Sequence, residues 1–357
     1  MTTDGALVLA GGGHSHALLL KRWAMRPQHR PDRRILLVNR RGSALYSGMV
    51  PALIAGIENQ DSVEINLRQL CDRAGVAFIQ AEICGVDLQR QRLQLTNRPD
   101  ITYGLLSLDV GAVSRGHDAE GVAIKPLEPA LAFLDDQDPS SPTAFRVVGA
   151  GSAGLEVVLA LRRRWPQRPL QLQSRPEQLG PLERRILADA QVELREREDE
   201  AGDTNVPCLR CSGSRAPEWL ATSGLPVDPE GRVRTDRFLQ VEGHDNLFAA
   251  GDCAVISSAP RPSSGVWAVR AAQPLARNLE ARCSNRAMRP WHPQRQALQL
   301  IGDQQGRAWA RWGPWQLRPS ALLWRWKRRI DHLFIDGFLN AGAMAPETPM
   351  ACRGCVH

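Results

Sequence analysis

The chain has 357 residues, 43% of them hydrophobic and 23% charged, with a formal net charge of +7 and a pI near 9.3. That length holds two domains with cores of their own. The basic excess is mostly arginine and is spread along the chain, with runs of three only at 162–164 and 327–329. No nucleic-acid reading motif accompanies it, so a nucleic-acid partner is excluded in favour of anionic cofactors or a membrane surface. No apolar run approaches the roughly eighteen residues of a membrane span. The first residues lack the basic and apolar regions of a signal peptide, and the expectation is a cytoplasmic protein. The eight cysteines then read as buried thiols rather than a disulfide framework.

Ala6 to Ala10 is an apolar run that reads as a buried strand. Gly11-Gly12-Gly13-His14-Ser15-His16 follows as a turn, and Ala17 to Leu20 carries the pattern into a helix. Strand, glycine turn and helix in that order receive a dinucleotide. The glycines let the backbone approach a pyrophosphate, and the helix N-terminus presents free N–H groups and a positive dipole end. His16 stands where the third glycine of G-x-G-x-x-G belongs. An imidazole there implies a wider gap between helix and strand, or a ring turned toward the cofactor. Ile35 to Asn39 reads as the second strand, and Asn39 occupies the place of the acid that takes ribose hydroxyls. No cysteine occurs between residues 46 and 56, which excludes the active-site disulfide chemistry of dithiol flavin reductases. Asn66 to Ala74 suits a helix. Val76 to Val86 and Ile101 to Asp109 suit strands, the second ending in a small-residue turn at Gly111.

Beyond the linker Pro139-Ser140-Ser141-Pro142 the opening pattern returns. Gly149-Ala150-Gly151-Ser152-Ala153-Gly154 is a complete G-x-G-x-x-G between an apolar stretch and a helix over 155–161. The next strand, Pro169 to Gln173, ends in Ser174-Arg175. A small polar residue plus arginine leans toward the 2′-phosphate of NADPH, with NADH left open. Leu179 to Gly202 is rich in charge and reads as a solvated surface segment. Cys208 and Cys211 fall on a strand at an odd offset, on opposite faces, which argues against a redox pair or metal clamp. A short apolar strand ends in Gly251-Asp252, and a helix follows over 265–279. The last third changes character, and residues 291–326 hold six of the ten tryptophans. Ala297 to Gly302 and Arg307 to Trp312 suit strands. Ala321 to Leu339 suits a helix with apolar and basic faces, fit either to lie on a membrane surface or to pack on the domain or a second subunit.

GGGHSH, YSGMVP, the second fingerprint, NLFAAGDCA and GVWAVR occur in the order seen in flavoproteins with two dinucleotide-binding domains. The chain resembles the FAD-dependent pyridine nucleotide-disulfide oxidoreductase-like family, including type II NADH dehydrogenases and sulfide:quinone reductases. With LSLDVGA, CSGSRAPEWL and WRWKRRID added, the likeness narrows to the flavoprotein module fused before selenide, water dikinase. That resemblance implies an α/β fold with two Rossmann-like domains (three-layer β/β/α), the second inserted in the first, plus a small C-terminal α/β region. The FAD domain would span 1–139 and 236–290, a shortened NAD(P)H domain 140–235, the C-terminal region 291–342, and a dikinase-like tail 343–357. It implies that Gly11, Gly13, His14, Ser15 and His16 hold the FAD pyrophosphate, Asn39 lies near the adenosine ribose, and Pro51 lies near the flavin. Ile83 and Gly111 would contact the adenosine half, Gly251 and Asp252 the ribityl chain, and Gly149, Gly151, Gly154 and Glu156 NAD(P)H. His14 and His16 are expected to be structural rather than acid or base. No catalytic side chain and no metal ligand is assigned.

The expected reaction is hydride transfer from NAD(P)H to FAD, with electrons passed on to a small-molecule or quinone acceptor. Two alternatives stand: a quinone or sulfide oxidoreductase on the inner face of the plasma membrane, and an FAD-binding partner protein without turnover, linked to selenium metabolism. A homodimer is left open. Cys355 matches the dikinase catalytic cysteine, but the lysine three residues on and the ATP-binding segments do not occur in these residues, so selenophosphate synthesis is not expected.

Overall fold

The computed structural model describes residues 5–114, 121–196 and 206–341. The dikinase-like tail with Cys352 and Cys355 lies outside the described residues. In chain order, β1 (Leu7–Ala10), β2 (Ile35–Asn39), β3 (Ala77–Gln80) and β4 (Leu105–Leu108) belong to one parallel sheet. A second parallel sheet is built next from β5 (Val122–Ala123), β6 (Phe145–Val148), β7 (Leu170–Ser174), β8 (Val192–Glu196) and β9 (Cys208–Arg210), in the order β5-β9-β6-β7-β8. The chain then returns to the first sheet with β10 (Leu247–Ala249), giving β10-β4-β1-β2-β3. The helices used below are α1 (His14–Met25), α2 (Val50–Ile54), α3 (Ser152–Arg164), α4 (Pro181–Asp189), α5 (Gly265–Cys283) and α6 (Ala321–Leu339).

β1 is an unbroken apolar run because a central parallel strand is covered on both faces. Leu7 and Leu9 point into one core with Leu19, Leu20, Leu275 and Leu279 of α1 and α5. Val8 and Ala10 point into another with Val86, Leu93 and Tyr103, beneath a three-stranded antiparallel sheet over Ile83–Asp87, Arg92–Leu95 and Ile101–Thr102. Strand alternation thus sets a helix layer on one side of the sheet and a second sheet on the other. A third core surrounds Phe145, Val147, Leu155, Val158 and Trp165, and α2 contributes Val50 and Ile54 to it.

Two expectations are corrected and one strand is added. Val76–Val86 is not one strand: Ala77–Gln80 belongs to the first sheet and Ile83–Asp87 to the antiparallel one, with the switch where Ala81 N–H reaches the carbonyl of Asn39. The charged segment after Leu179 is not merely solvated surface. It holds α4 and then β8, the edge strand of the second sheet, in which only Val192 is buried. Charge protects an unpaired edge, and it hid the strand from the hydrophobic pattern. Trp315–Ser320 adds a third antiparallel strand beside Gln299–Gly302 and Ala308–Trp312.

α1 and α5 are also joined by charge. Glu280, only 6% exposed, accepts Arg22 Nε at 2.8 Å, Arg22 Nη2 at 3.1 Å and Trp23 Nε1 at 3.1 Å. Replacing Glu280 with Ala leaves a guanidinium and an indole N–H without this acceptor. The expected loss is about 3 kcal/mol of stability, measured by denaturant unfolding.

Candidate dinucleotide sites

The first glycine turn leaves the end of β1 between β2 and β4. Gly11 has φ 91°, and a Cβ on it would strike the Asp109 backbone carbonyl. Gly12 N–H donates to Asn39 Oδ1 at 2.9 Å, and Asn39 Nδ2 donates to the Arg41 carbonyl at 2.8 Å. Asn39 therefore latches the turn to the end of β2, a task an amide performs with both ends. Gly13 N–H donates to the Asp109 carbonyl at 3.1 Å and is the N-cap of α1, with no side-chain cap. Ser15 Oγ donates to the Ala268 carbonyl at 2.9 Å, fixing α1 to α5.

His16 is fully buried. Nδ1 lies 2.7 Å from the Gly11 carbonyl and Nε2 2.8 Å from Ser107 Oγ. A carbonyl only accepts, so Nδ1 carries the proton, and Nε2 accepts from the Ser107 hydroxyl. Its backbone N–H donates to Asp109 Oδ2 at 3.0 Å. Both ring nitrogens and the amide are thus spent within the fold. The expectation of a ring turned toward the cofactor is corrected: the imidazole packs between helix and strand and binds the turn from beneath.

Around this turn two buried polar atoms lack a protein partner: His14 Nε2 and Asp252 Oδ1. They belong to one cluster, because Asp252 and Lys125 both act on the His14 charge. Lys125 Nζ reaches Asp252 Oδ2 at 2.8 Å, which leaves Oδ1 free to accept. The His14 ring meets Tyr46 edge-on at 5.7 Å. Burial holds His14 below the ordinary histidine range, so the ring is neutral. Gly251 has φ 73° and brings the following Asp252 to this place, since β10 lies beside β4. Gly111 also has φ 73°, and nothing lies within 4 Å of a Cβ built on it. Pro51 is buried in the first turn of α2, and Ile83 opens the antiparallel sheet, packed on the core that holds Val8 and Ala10. The unsatisfied acceptor, the neutral imidazole and the glycine cradle suit a polar, anionic dinucleotide such as FAD.

The second turn repeats the geometry. Gly149 has φ 107°, and a Cβ on Gly154 would run into the Gly149 carbonyl, so α3 lies close on its strand. Gly151 is the N-cap of α3 without a side-chain cap, and a Cβ on it would meet nothing within 4 Å. Arg175 is exposed just beyond β7. Glu156 faces elsewhere: its carboxylate accepts the Gly302 N–H at 2.9 Å and lies 3.7 Å from Lys327 Nζ.

Lys327 centres a network that the sequence reading missed. Nζ donates to Asp331 Oδ2 at 2.9 Å and to the Gly48 carbonyl at 3.1 Å, and Tyr46 Oη donates to Asp331 Oδ1 at 3.0 Å. Burial works against the ammonium, but Glu156 and Asp331 outweigh it and keep it charged. Burial also pushes Glu156 up, opposed by Lys327 and the Gly302 amide. Asp331 follows Lys327 by four residues, a spacing that makes an ion pair on one helix face. That was the signal in WRWKRRID. Lys125 and Asp109 offered none beyond lone charges in apolar surroundings.

No protein-family model matches the chain. Ferroptosis suppressor protein 1 from Xenopus tropicalis is 23% identical over 252 residues, 60% of this chain and 66% of that protein. The chain thus matches just under two thirds of that relative's length. Demethylphylloquinone reductase NdbB from Synechocystis sp. is 23% identical over 346 residues, 84% of each chain. The sulfide:quinone oxidoreductase of Aquifex aeolicus superposes with a TM-score of 0.75, at 16% identity, over 94% of this chain and 92% of that one. This chain is also similar to NADH dehydrogenase-like protein YutJ from Bacillus subtilis, 22% identical over 324 residues, 83% of this chain and 89% of that one. The fold is the two-domain Rossmann-like α/β fold of such enzymes.

The buried His16 makes stability depend on pH. Burial lowers it to about 4 from an ordinary 6.5, against the raising effect of the Gly11 carbonyl. On this residue the unfolded chain takes up a proton before the folded one does, so the His16 contribution to stability falls as pH drops from about 6.5 toward 4. The expected loss is about 3 kcal/mol from this residue. Asp109, raised to about 7 by burial, contributes in the opposite sense over the same range, so the test is a difference: between pH 7 and 4.5 the denaturant midpoint of the unaltered chain should move less favourably than that of His16→Asn.

Proposed function

We propose that this chain is an FAD-dependent NAD(P)H oxidoreductase that delivers electrons to a quinone at a lipid surface. The pair of buried unpartnered atoms, His14 Nε2 and Asp252 Oδ1, beside an uncapped glycine turn carries the reading. In it, residues 1–139 and 236–290 form the FAD domain and 140–235 the NAD(P)H domain. Bound flavin supplies two-electron acceptance from a nicotinamide and release to an acceptor. The chain's own residues bind and position. Gly11 and Gly13 admit the pyrophosphate, Asp252 accepts from the ribityl chain, and Lys125 holds Asp252 in place. Gly149, Gly151 and Gly154 admit the second dinucleotide, and Arg175 favours NADPH. Lys327, held charged between Glu156 and Asp331, offers a fixed positive charge and a transferable proton beside Tyr46 and Gly48.

The lipid surface rests on the patterning of the last third. α6 turns Lys327, Asp331, Ile335 and Phe338 inward and leaves Leu322, Trp326, Ile330 and Leu333 exposed. Trp312 and Trp315 project from the adjacent hairpin, Trp315 at 73% exposure. Arg318, Arg325 and Arg329 are exposed on the same elements, which suits anionic headgroups. Among the described residues no helix is long and apolar enough to cross a membrane. NdbB is a demethylphylloquinone reductase and the A. aeolicus protein a sulfide:quinone oxidoreductase, in keeping with a quinone acceptor. The motif likeness to the dikinase-fused module adds selenium compounds to the acceptors worth screening.

The purified protein should be yellow and release FAD on heating. NAD(P)H should bleach it under anaerobic conditions and a soluble quinone should restore the colour; absence of bleaching by both NADH and NADPH would overturn the reading. It should float with anionic but not zwitterionic vesicles, and the double variant Trp315→Ser, Trp326→Ser should lose at least tenfold in vesicle affinity while bleaching as before. Equal flotation with both vesicle types, or dimerisation lost in the variant with flotation kept, would reject the lipid surface.

A further inference from the structure

Asp109 stands at the end of β4, directly under the first turn of α1. Its side chain is 2% exposed. Oδ2 accepts the His16 N–H at 3.0 Å, and the Ser15 backbone amide also faces this carboxyl. These are the amides that a helix N-terminus offers to a phosphate. The carboxyl is wedged between two glycines: a Cβ on Gly13 or on Gly251 would collide with it. The groups facing it are Ser15 and His16 from α1, and Asp252 and Cys253 from the turn after β10. No arginine or lysine is among them, and Lys125 is paired with Asp252. α5 faces this place with the apolar Ala268, next to Gly251.

We propose that Asp109 is a proton-linked binding residue for the FAD pyrophosphate: protonated, it donates its carboxyl O–H to the phosphate side of the turn, and ionised, it opposes the dinucleotide. The inference rests on the first turn being the FAD site. Two like charges cannot share one desolvated helix terminus without a counter-ion, so the cheaper arrangement takes a proton from solvent. Burial raises the Asp109 carboxyl to about 7, against the amides of His16 and Ser15 and with added push from Asp252. The proton is therefore exchangeable near neutrality. His16 and His14 stay neutral there, and burial keeps the Cys253 thiol protonated. The phosphates of FAD do not titrate in this range, so the carboxyl is the group that responds.

The test titrates the full chain, stripped of flavin, with FAD at pH 6 to 9 and fixed ionic strength, following flavin fluorescence. Kd is expected to be flat up to about pH 7 and then to rise about tenfold per pH unit, the slope of a single linked proton. Asp109→Asn should bind FAD with a flat profile, its circular dichroism showing that it is folded. Calorimetry of the unaltered chain at pH 8 in two buffers of different ionisation enthalpy should report about one proton taken up per FAD, and this decides the matter alone if the variant does not fold. A flat profile in the unaltered chain, the same slope in Asp109→Asn, or no proton uptake would overturn the proposal while leaving the FAD site standing. No FAD binding at any pH would overturn both.

Discussion

The pairing of β10 with β4 is the constraint from which the rest follows. Leu247, Phe248 and Ala249 align with Leu106, Ser107 and Leu108 after the chain has built an entire second sheet. That closure is long-range and costs loop entropy, but its residues are fully buried and all but Ser107 are apolar. It sets Gly251 and Asp252 beside Gly11 and Gly13, and it brings α5 onto α1, where Ser15 and Glu280 fasten the two helices. Without that pairing the first glycine turn would face solvent, and His14, Asp109 and Asp252 would not share one buried space.

Much of this architecture was readable in the sequence. The two glycine turns, the strands that feed them and the full extent of α6 followed from apolar runs, glycine spacing and helical periodicity. The edge strand β8 did not, because charged side chains that protect an open edge erase the alternation that marks a strand. The split between Gln80 and Ile83 was hidden for the opposite reason: both halves are apolar, and only tertiary pairing tells them apart.

The candidate sites were legible in part, and for a definite reason. Glycines announce themselves, since each marks a backbone position that other residues cannot take. His16 was visible as a departure, but its meaning depended on Ser107, ninety-one positions away. Asp109 and Lys125 are single charges whose neighbours come from other elements, so nothing local distinguishes them from surface residues, and Lys327 shows locally only its spacing to Asp331. Buried charge becomes recognisable only when the fold shows what it is set against.

α6 buries a charged pair and exposes an apolar ridge. Its charged pair is buried together with Ile335 and Phe338, bound to Glu156 and Gly48, while Leu322, Trp326, Ile330 and Leu333 are outside. Most amphipathic helices that visit a surface must first surrender apolar contacts with their own domain. This one keeps Ile335 and Phe338 in the core while a separate apolar ridge stands exposed, with hydrogen bonds and ion pairs sharing the anchoring. The exposed ridge is therefore permanently deployed. A surface that covered it would add to the helix's own anchoring rather than compete with it, and would require no conformational signal within the chain.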